Sequence, residues 1–208
     1  MGLCLLVLGG ANITAEDLPL APPEAGVELF GAVRMIDFEI VSFVDPAGKK
    51  WIGLKASCET AIRAPMESII AKLWDFEGSS KVFSRIEAVR VRSNDGTQAV
   101  TEQRTAVRML GAAYVSNLVY LDTIARRADG TAEVGFEMIE TDGSCRSAKG
   151  GWDLREFADG AGKATFVRYW IESDVAPMVP AQAFIMRSFG AADVRKTARE
   201  LCAAMDRS

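Results

Sequence analysis

The stretch from Val179 to Met205 reads VPAQAFIMRSFGAADVRKTARELCAAM, and its reading decides the fold. Phe184, Ser188, Ala191, Val194, Ala198, Leu201 and Met205 recur at steps of three and four, the spacing that gathers side chains on one face of an α-helix. Arg187, Arg195, Lys196, Arg199 and Glu200 fall mostly elsewhere on the wheel. Pro180 stands near the start, where a missing N–H costs little. About 26 residues make a helix about 39 Å long. Gly190, inside the pattern, costs about 1 kcal/mol against Ala and marks a bend or a close contact. The apolar face is rich in small residues, so it can approach a sheet without filling the space beneath it. The expectation is a long terminal helix laid across a curved antiparallel sheet, with a cavity between them. The plainer alternative is an amphipathic helix closing a solid core.

The sheet comes from the residues before the helix. Val33–Val44 and Lys50–Ile62 are rich in β-branched and aromatic residues and flank the turn Asp45-Pro46-Ala47-Gly48, which predicts a long hairpin. Ala64-Pro65 ends the second strand, and Pro65 opens a helix carrying Met66, Ile69, Ile70, Leu73 and Trp74 on one face. A second short helical piece is expected around 78–82. Strands then follow at 86–92, 99–109, 114–126, 132–141, 145–157 and 163–173, punctuated by Asn94-Asp95-Gly96, Gly111, Asp129-Gly130, Asp142-Gly143 and Asp159-Gly160. Val134, Phe136 and Met138 alternate with Glu133, Gly135 and Glu137, as a half-buried strand requires. The pattern is an antiparallel meander.

The totals exclude several classes of function. The 208 residues carry a net charge of −4, which gives no general attraction to nucleic acid. Hydrophobic residues make up 49% and charged residues 25%, a globular balance. There is no histidine, so Ser–His and Cys–His catalytic pairs are excluded, and the usual imidazole metal ligand is missing. Proton transfer would fall to a carboxylate, Lys, Tyr or Cys. Cys4, Cys58, Cys145 and Cys202 form no C-x-x-C pair. Cys58 and Cys145 are either a disulfide or, like Cys202, small buried hydrophobes. No dinucleotide, P-loop or nucleophile-elbow motif occurs, and neither cofactor nor metal is expected.

Residues 1–28 are expected to be a leader-like apolar segment and linker, and 29–208 the functional domain. The run MGLCLLVLGGA at 1–11 is too short to span a bilayer and resembles the core of a secretory signal, although the positive flank is missing. Export to the bacterial periplasm or beyond the cell is the expectation, with a cytoplasmic protein as the alternative. Pro19, Pro22 and Pro23 mark the linker.

The order of elements is a strand, two helices, a meander and a long terminal helix. It resembles the helix-grip fold of the START and polyketide-cyclase-like (SRPBCC) superfamily. The resemblance is carried by Ala64-Pro65, where the chain turns off the sheet, and by Leu73-Trp74-Asp75-Phe76 leading through Val82-Phe83 to Ile86-Glu87-Ala88-Val89. Gly151-Trp152-Asp153-Leu154, Asp159-Gly160 and Thr165-Phe166-Val167 resemble the penultimate hairpin, and 174–180 the Pro-containing loop before the last helix. It covers about residues 33–207. It implies an α+β fold in which about seven curved antiparallel strands wrap the C-terminal helix, with a deep cavity for a hydrophobic molecule.

Phe136, Met138, Trp152 and Leu154 are the expected sheet side of that cavity, and Phe184, Ser188, Ala191 and Ala198 the helix side. Tyr114 and Tyr120, alternating with Ser116 and Leu118, would place hydroxyls near a ligand oxygen, or else serve as core residues. Trp170 with Arg168 would form a polar end, and Arg104 with Arg108 a headgroup contact, unless these are solvated faces. The functional expectation is a protein that binds and carries a lipid, sterol or quinone-like molecule without catalysing a reaction, and touches a membrane transiently. A polyketide cyclase or aromatase is the enzymatic alternative. A ligand-free module that binds a partner through the hairpin at 33–62 is the third.

Overall fold

The computed structural model describes residues 29–109 and 112–207. The leader and linker readings and the Gly111 break lie outside the described residues. Among the described residues, eight strands and three helices follow one another: β1 (Arg34–Val44), β2 (Lys50–Ile62), α1 (Met66–Leu73), α2 (Ser79–Val82), β3 (Ile86–Asn94), β4 (Gln98–Met109), β5 (Ala112–Arg126), β6 (Thr131–Glu140), β7 (Cys145–Ala158), β8 (Lys163–Val175) and α3 (Gln182–Met205). The strands form one antiparallel sheet in the order β1-β2-β8-β7-β6-β5-β4-β3. The count is eight rather than about seven. The β1–β2 hairpin joins the meander through β8, and β1 and β3 are left at the edges.

Local chemistry builds the turns. In the β1–β2 loop the Asp45 carboxylate accepts the N–H groups of Ala47 and Lys49, both at 2.9 Å, and Gly48 takes a φ of 81° that an L side chain resists. Asp95 does the same work between β3 and β4, accepting from Thr97 and Gln98. After β2, the Thr165 hydroxyl donates to the Ala64 carbonyl at 2.8 Å while Pro65 caps α1, so the chain leaves the sheet here.

The helix α3 begins at Gln182, three residues after the start of the periodic stretch. Val179 and Pro180 lie in a turn and Ala181 is left-handed, with φ of 60°. The buried Gln182 side chain accepts the N–H of Met178 at 2.6 Å, which ties the preceding loop to the helix. At about 1.5 Å per residue, its 24 residues extend about 36 Å. The helix packs on β1 and β2, at one side of the sheet. Gly190 lets the helix lie close against β1, since a Cβ there would stand 2.8 Å from the Phe38 ring.

The main core lies between α1, the C-terminal half of α3 and the concave face of β2, β6, β7 and β8. Cys58, Ile69, Leu154, Val167 and Leu201 are fully buried there. Leu29, Ala61, Phe157, Ala164 and Phe166 make a smaller cluster on the convex face. On that face Glu59 accepts from Arg34 at 2.9 Å and from the buried Arg168 at 3.0 Å.

Candidate ligand-binding cavity

Strand alternation decides what faces the hollow of the sheet. On β5, Leu118, Tyr120 and Asp122 share one side. On β6 it is Val134 and Phe136, on β7 Ala148 and Trp152, and on β8 Tyr169, Ile171 and Ser173. The helix α3 leans over β1 and β2, so the concave surface of β4–β8 is covered only in part. Leu73, Trp74 and Phe76 from the end of α1 and beyond, Phe83 to Ile86 from the α2–β3 passage, and Met178 roof the rest. A cavity of about 290 Å³ remains.

Aromatic rings frame it. Trp152 lies 4.5 Å from Tyr169 and 6.0 Å from Phe83, centroid to centroid. Tyr120 meets Phe136 edge-on at 5.5 Å. Phe136 has room because its partner across the strands is Gly150, where a Cβ would stand 2.5 Å from the ring.

Polar groups are few and unevenly paired. Thr101 donates its hydroxyl to Asp122 at 2.6 Å and accepts from the Gln103 amide at 3.2 Å. Asp122 is only 7% exposed. Burial pushes its pKa up to about 6 against the opposing effect of the Thr101 bond. Burial also pushes the Tyr169 phenol up to about 12 and the Cys145 thiol up to about 11, so neither ionises at neutral pH. At the rim, Arg85 pairs with Asp193 of α3. Glu200 accepts the Ser84 N–H at 3.3 Å and pairs with Lys196 at 3.7 Å, linking α3 to the roof. Arg85 has 39% of its side-chain surface exposed, yet protein crowds it enough for desolvation to lower its pKa. Both hold for a group standing in the mouth of a concavity.

Of the residues expected to line a cavity, the structure brings Leu118, Tyr120, Phe136 and Trp152 together on its wall. Tyr114 is half-buried on the same strand face but stands beyond the lining. Met138 pairs across the strands with Tyr120 and packs on the cluster of Leu118, Tyr120, Cys145 and Ala148, outside the lining. Leu154 and Ala198 are core residues without access to the hollow. Ala191 is half-buried outside it. Three placements are corrected. Trp170 lies on the convex face, because its neighbours Tyr169 and Ile171 face inward and its indole nitrogen lies over Gly151. Phe184 and Ser188 face solvent, because α3 docks on β1 and β2 with Gln182, Val194, Ala198, Leu201 and Ala204 turned to the protein instead. The helix side of the cavity is Thr197 and Glu200. Sequence reasoning missed Asp122, Gln103 and Thr101. A charged residue on the inward side of β5, between Tyr120 and Ile124, was the signal.

A wider groove of about 440 Å³ opens largely on the convex face around Gly53. Seven of its fifteen lining residues are charged, with Lys55 and Lys149 both paired to Glu172. The smaller inner cavity is the candidate site, since apolar walls with few polar groups characterise small-molecule pockets. Cys58, Cys145 and Cys202 are free thiols, which answers the disulfide question. Among the described residues no cluster could hold a metal ion, and no helix is long and apolar enough to cross a membrane.

No protein-family model matches this chain, and no curated protein matches it in sequence. Solved structures match it in shape. A STAR-related lipid transfer protein fragment from Xanthomonas axonopodis is similar over 80% of this chain and 98% of its own, with a TM-score of 0.62 at 16% identity. Human StAR-related lipid transfer protein 5 is similar over 82% and 86%, with a TM-score of 0.59 at 14% identity. The Zhui aromatase/cyclase from Streptomyces sp. R1128 is similar over 74% and 94%, with a TM-score of 0.56 at 15% identity. The antiparallel sheet closed around a terminal helix is therefore the helix-grip fold that these START-type lipid-transfer proteins and the aromatase/cyclase share.

Proposed function

We propose that this protein binds a hydrophobic small molecule in the inner cavity and carries it. The observation that supports this most is the hollow between the sheet and its roof, ringed by Tyr120, Phe136, Trp152 and Tyr169. About 290 Å³ is near the lower end of ligand pockets, which run from roughly 300 to 1,000 Å³. That size suits a single ring system or one short chain better than a two-chain phospholipid. Burying each methylene gains about 0.8 kcal/mol, so a short chain supplies useful affinity without any catalytic group. The loop through Met178 and the α2–β3 passage would open to admit the ligand, since α3 holds them by few bonds.

Contact with a membrane is part of the proposal. Phe184 and Phe189 are each 67% exposed on α3, with Arg187 between them. Aromatic rings beside a cation suit an anionic lipid surface. The apolar run at 1–11 supports export as the setting in which the carrier works. Native mass spectrometry of protein purified from its own source, followed by organic extraction, tests the reading. A co-purifying apolar molecule is expected, and protein that takes up neither cellular lipid nor the apolar dye N-phenyl-1-naphthylamine would refute it.

One observation favours a cyclase as the second reading. Asp122 is a buried carboxyl in the cavity wall with a pKa of about 6, suited to moving protons near neutral pH, and an aromatase/cyclase is among the similar structures. Turnover of a poly-ketone thioester, lost in Asp122→Asn, would support it.

A further inference from the structure

Among the described residues, no cation stands beside Asp122 in the cavity wall. Its carboxylate offers about four acceptor positions when ionised. One hydrogen bond from a described side chain meets it, from Thr101 to Oδ2. Among the described residues, the surrounding elements turn no positive side chain toward it. From β4 come Thr101, Gln103 and Thr105, from β6 Val134 and Phe136, and from α1 and the turn after it Leu73, Trp74 and Phe76. The nearest rim charges are engaged elsewhere, Arg85 with Asp193 and Glu200 with Lys196. Arg85 acts electrostatically on Tyr169 and Glu200, and among the described residues burial and the Thr101 bond are what act on Asp122. A buried carboxylate left this way is costly unless something donates to it.

We infer that the cavity selects an apolar molecule bearing an O–H or N–H donor, an alcohol, phenol or amine, which it seats against the Asp122 carboxylate, and that it rejects fatty-acid anions. This deepens the carrier reading and rests on it. A donor on the ligand completes the chain from Gln103 through Thr101 to Asp122 and so lowers the cost of the bound state. A ligand carboxylate would set a second negative charge beside the first in a poorly hydrated space, where like charges repel most strongly. An ether or ester group would bring only acceptors to an acceptor. The apolar part of the ligand would lie against Phe136, Tyr120 and Trp152.

The test displaces N-phenyl-1-naphthylamine from the full protein with octanol, octylamine, octyl methyl ether and octanoate, at a pH well above the Asp122 value of about 6. Chain length is constant, so differences report the head group. Octanol and octylamine should compete about tenfold or more better than the ether and octanoate, the worth of one hydrogen bond to a charged group. Asp122→Asn should shrink the advantage of octylamine over octanoate about tenfold, the two competitors being compared within each protein because the dye itself carries an N–H that can meet Asp122. Octanoate or the ether matching octanol in the unaltered protein overturns the inference, and that comparison needs no variant to fold. A preference unchanged in a folded Asp122→Asn overturns it as well. Dye that fails to bind the unaltered protein brings down the carrier reading itself, and this inference with it. Dye that binds with no head-group preference brings down the inference alone.

Discussion

Replacing Asp122 with asparagine should make the protein more stable at neutral pH while impairing ligand selection. The Asp122 pKa moves from 3.8 to about 6 on folding, because burial disfavours the charged form. About two pKa units at about 1.4 kcal/mol each make the ionised carboxylate a cost of about 3 kcal/mol. The sign follows from proton binding. The folded state holds this proton more tightly than the unfolded chain, so its contribution is fully present below 3.8 and is lost as pH rises through about 6. Asparagine keeps the shape and can accept the Thr101 hydroxyl at the same place, but it has no charge to bury. At about pH 7 the variant should gain up to about 3 kcal/mol, or about 6–12 °C in melting temperature for a chain of this length. The gain should shrink towards zero as pH falls below about 4. Thermal and urea melts followed by circular dichroism across that range measure it. A variant no more stable than the parent at neutral pH, or one whose advantage is constant with pH, would refute the reasoning, because the carboxylate would then be hydrated or paired.

The other predictions follow from placement. Thr105→Trp projects a ring into the cavity from a half-buried site and should reduce dye binding about tenfold or more with little change in melting temperature, as fluorescence titration and circular dichroism would show. Ala198→Trp, at a position 1% exposed in the main core, should instead cost about 1–3 kcal/mol or more by overpacking, read from urea denaturation. Glu59→Ala withdraws a carboxylate from Arg34 and the buried Arg168 and should destabilise the protein by about 3–5 kcal/mol, measured in the same way. Cys58, with its thiol pushed up to about 12, should resist iodoacetamide in the native protein at neutral pH and react once urea unfolds it, a difference that mass spectrometry of the digests would detect.

The sequence by itself determined the strands, their turns and the terminal helix, because those features rest on neighbours along the chain. Asp45 and Asp95 make their turns with residues two to four positions away. On β5, β6 and β7 the period of two groups Leu118 with Tyr120, Phe136 with Met138 and Trp152 with Leu154 on single strand faces, since strand neighbours must face opposite ways. The tertiary structure decided the rest. A helix has no fixed face until something packs on it, and the docking of α3 on β1 and β2 through Gly190 and Phe38 turned Phe184 and Ser188 to solvent. Likewise Thr101 and Asp122 lie 21 residues apart and meet only because β4 pairs with β5. Which side chains share a strand face was legible in local patterns, whereas the lack of a cation beside Asp122 among the described residues depended on which groups pairing and helix docking brought near it.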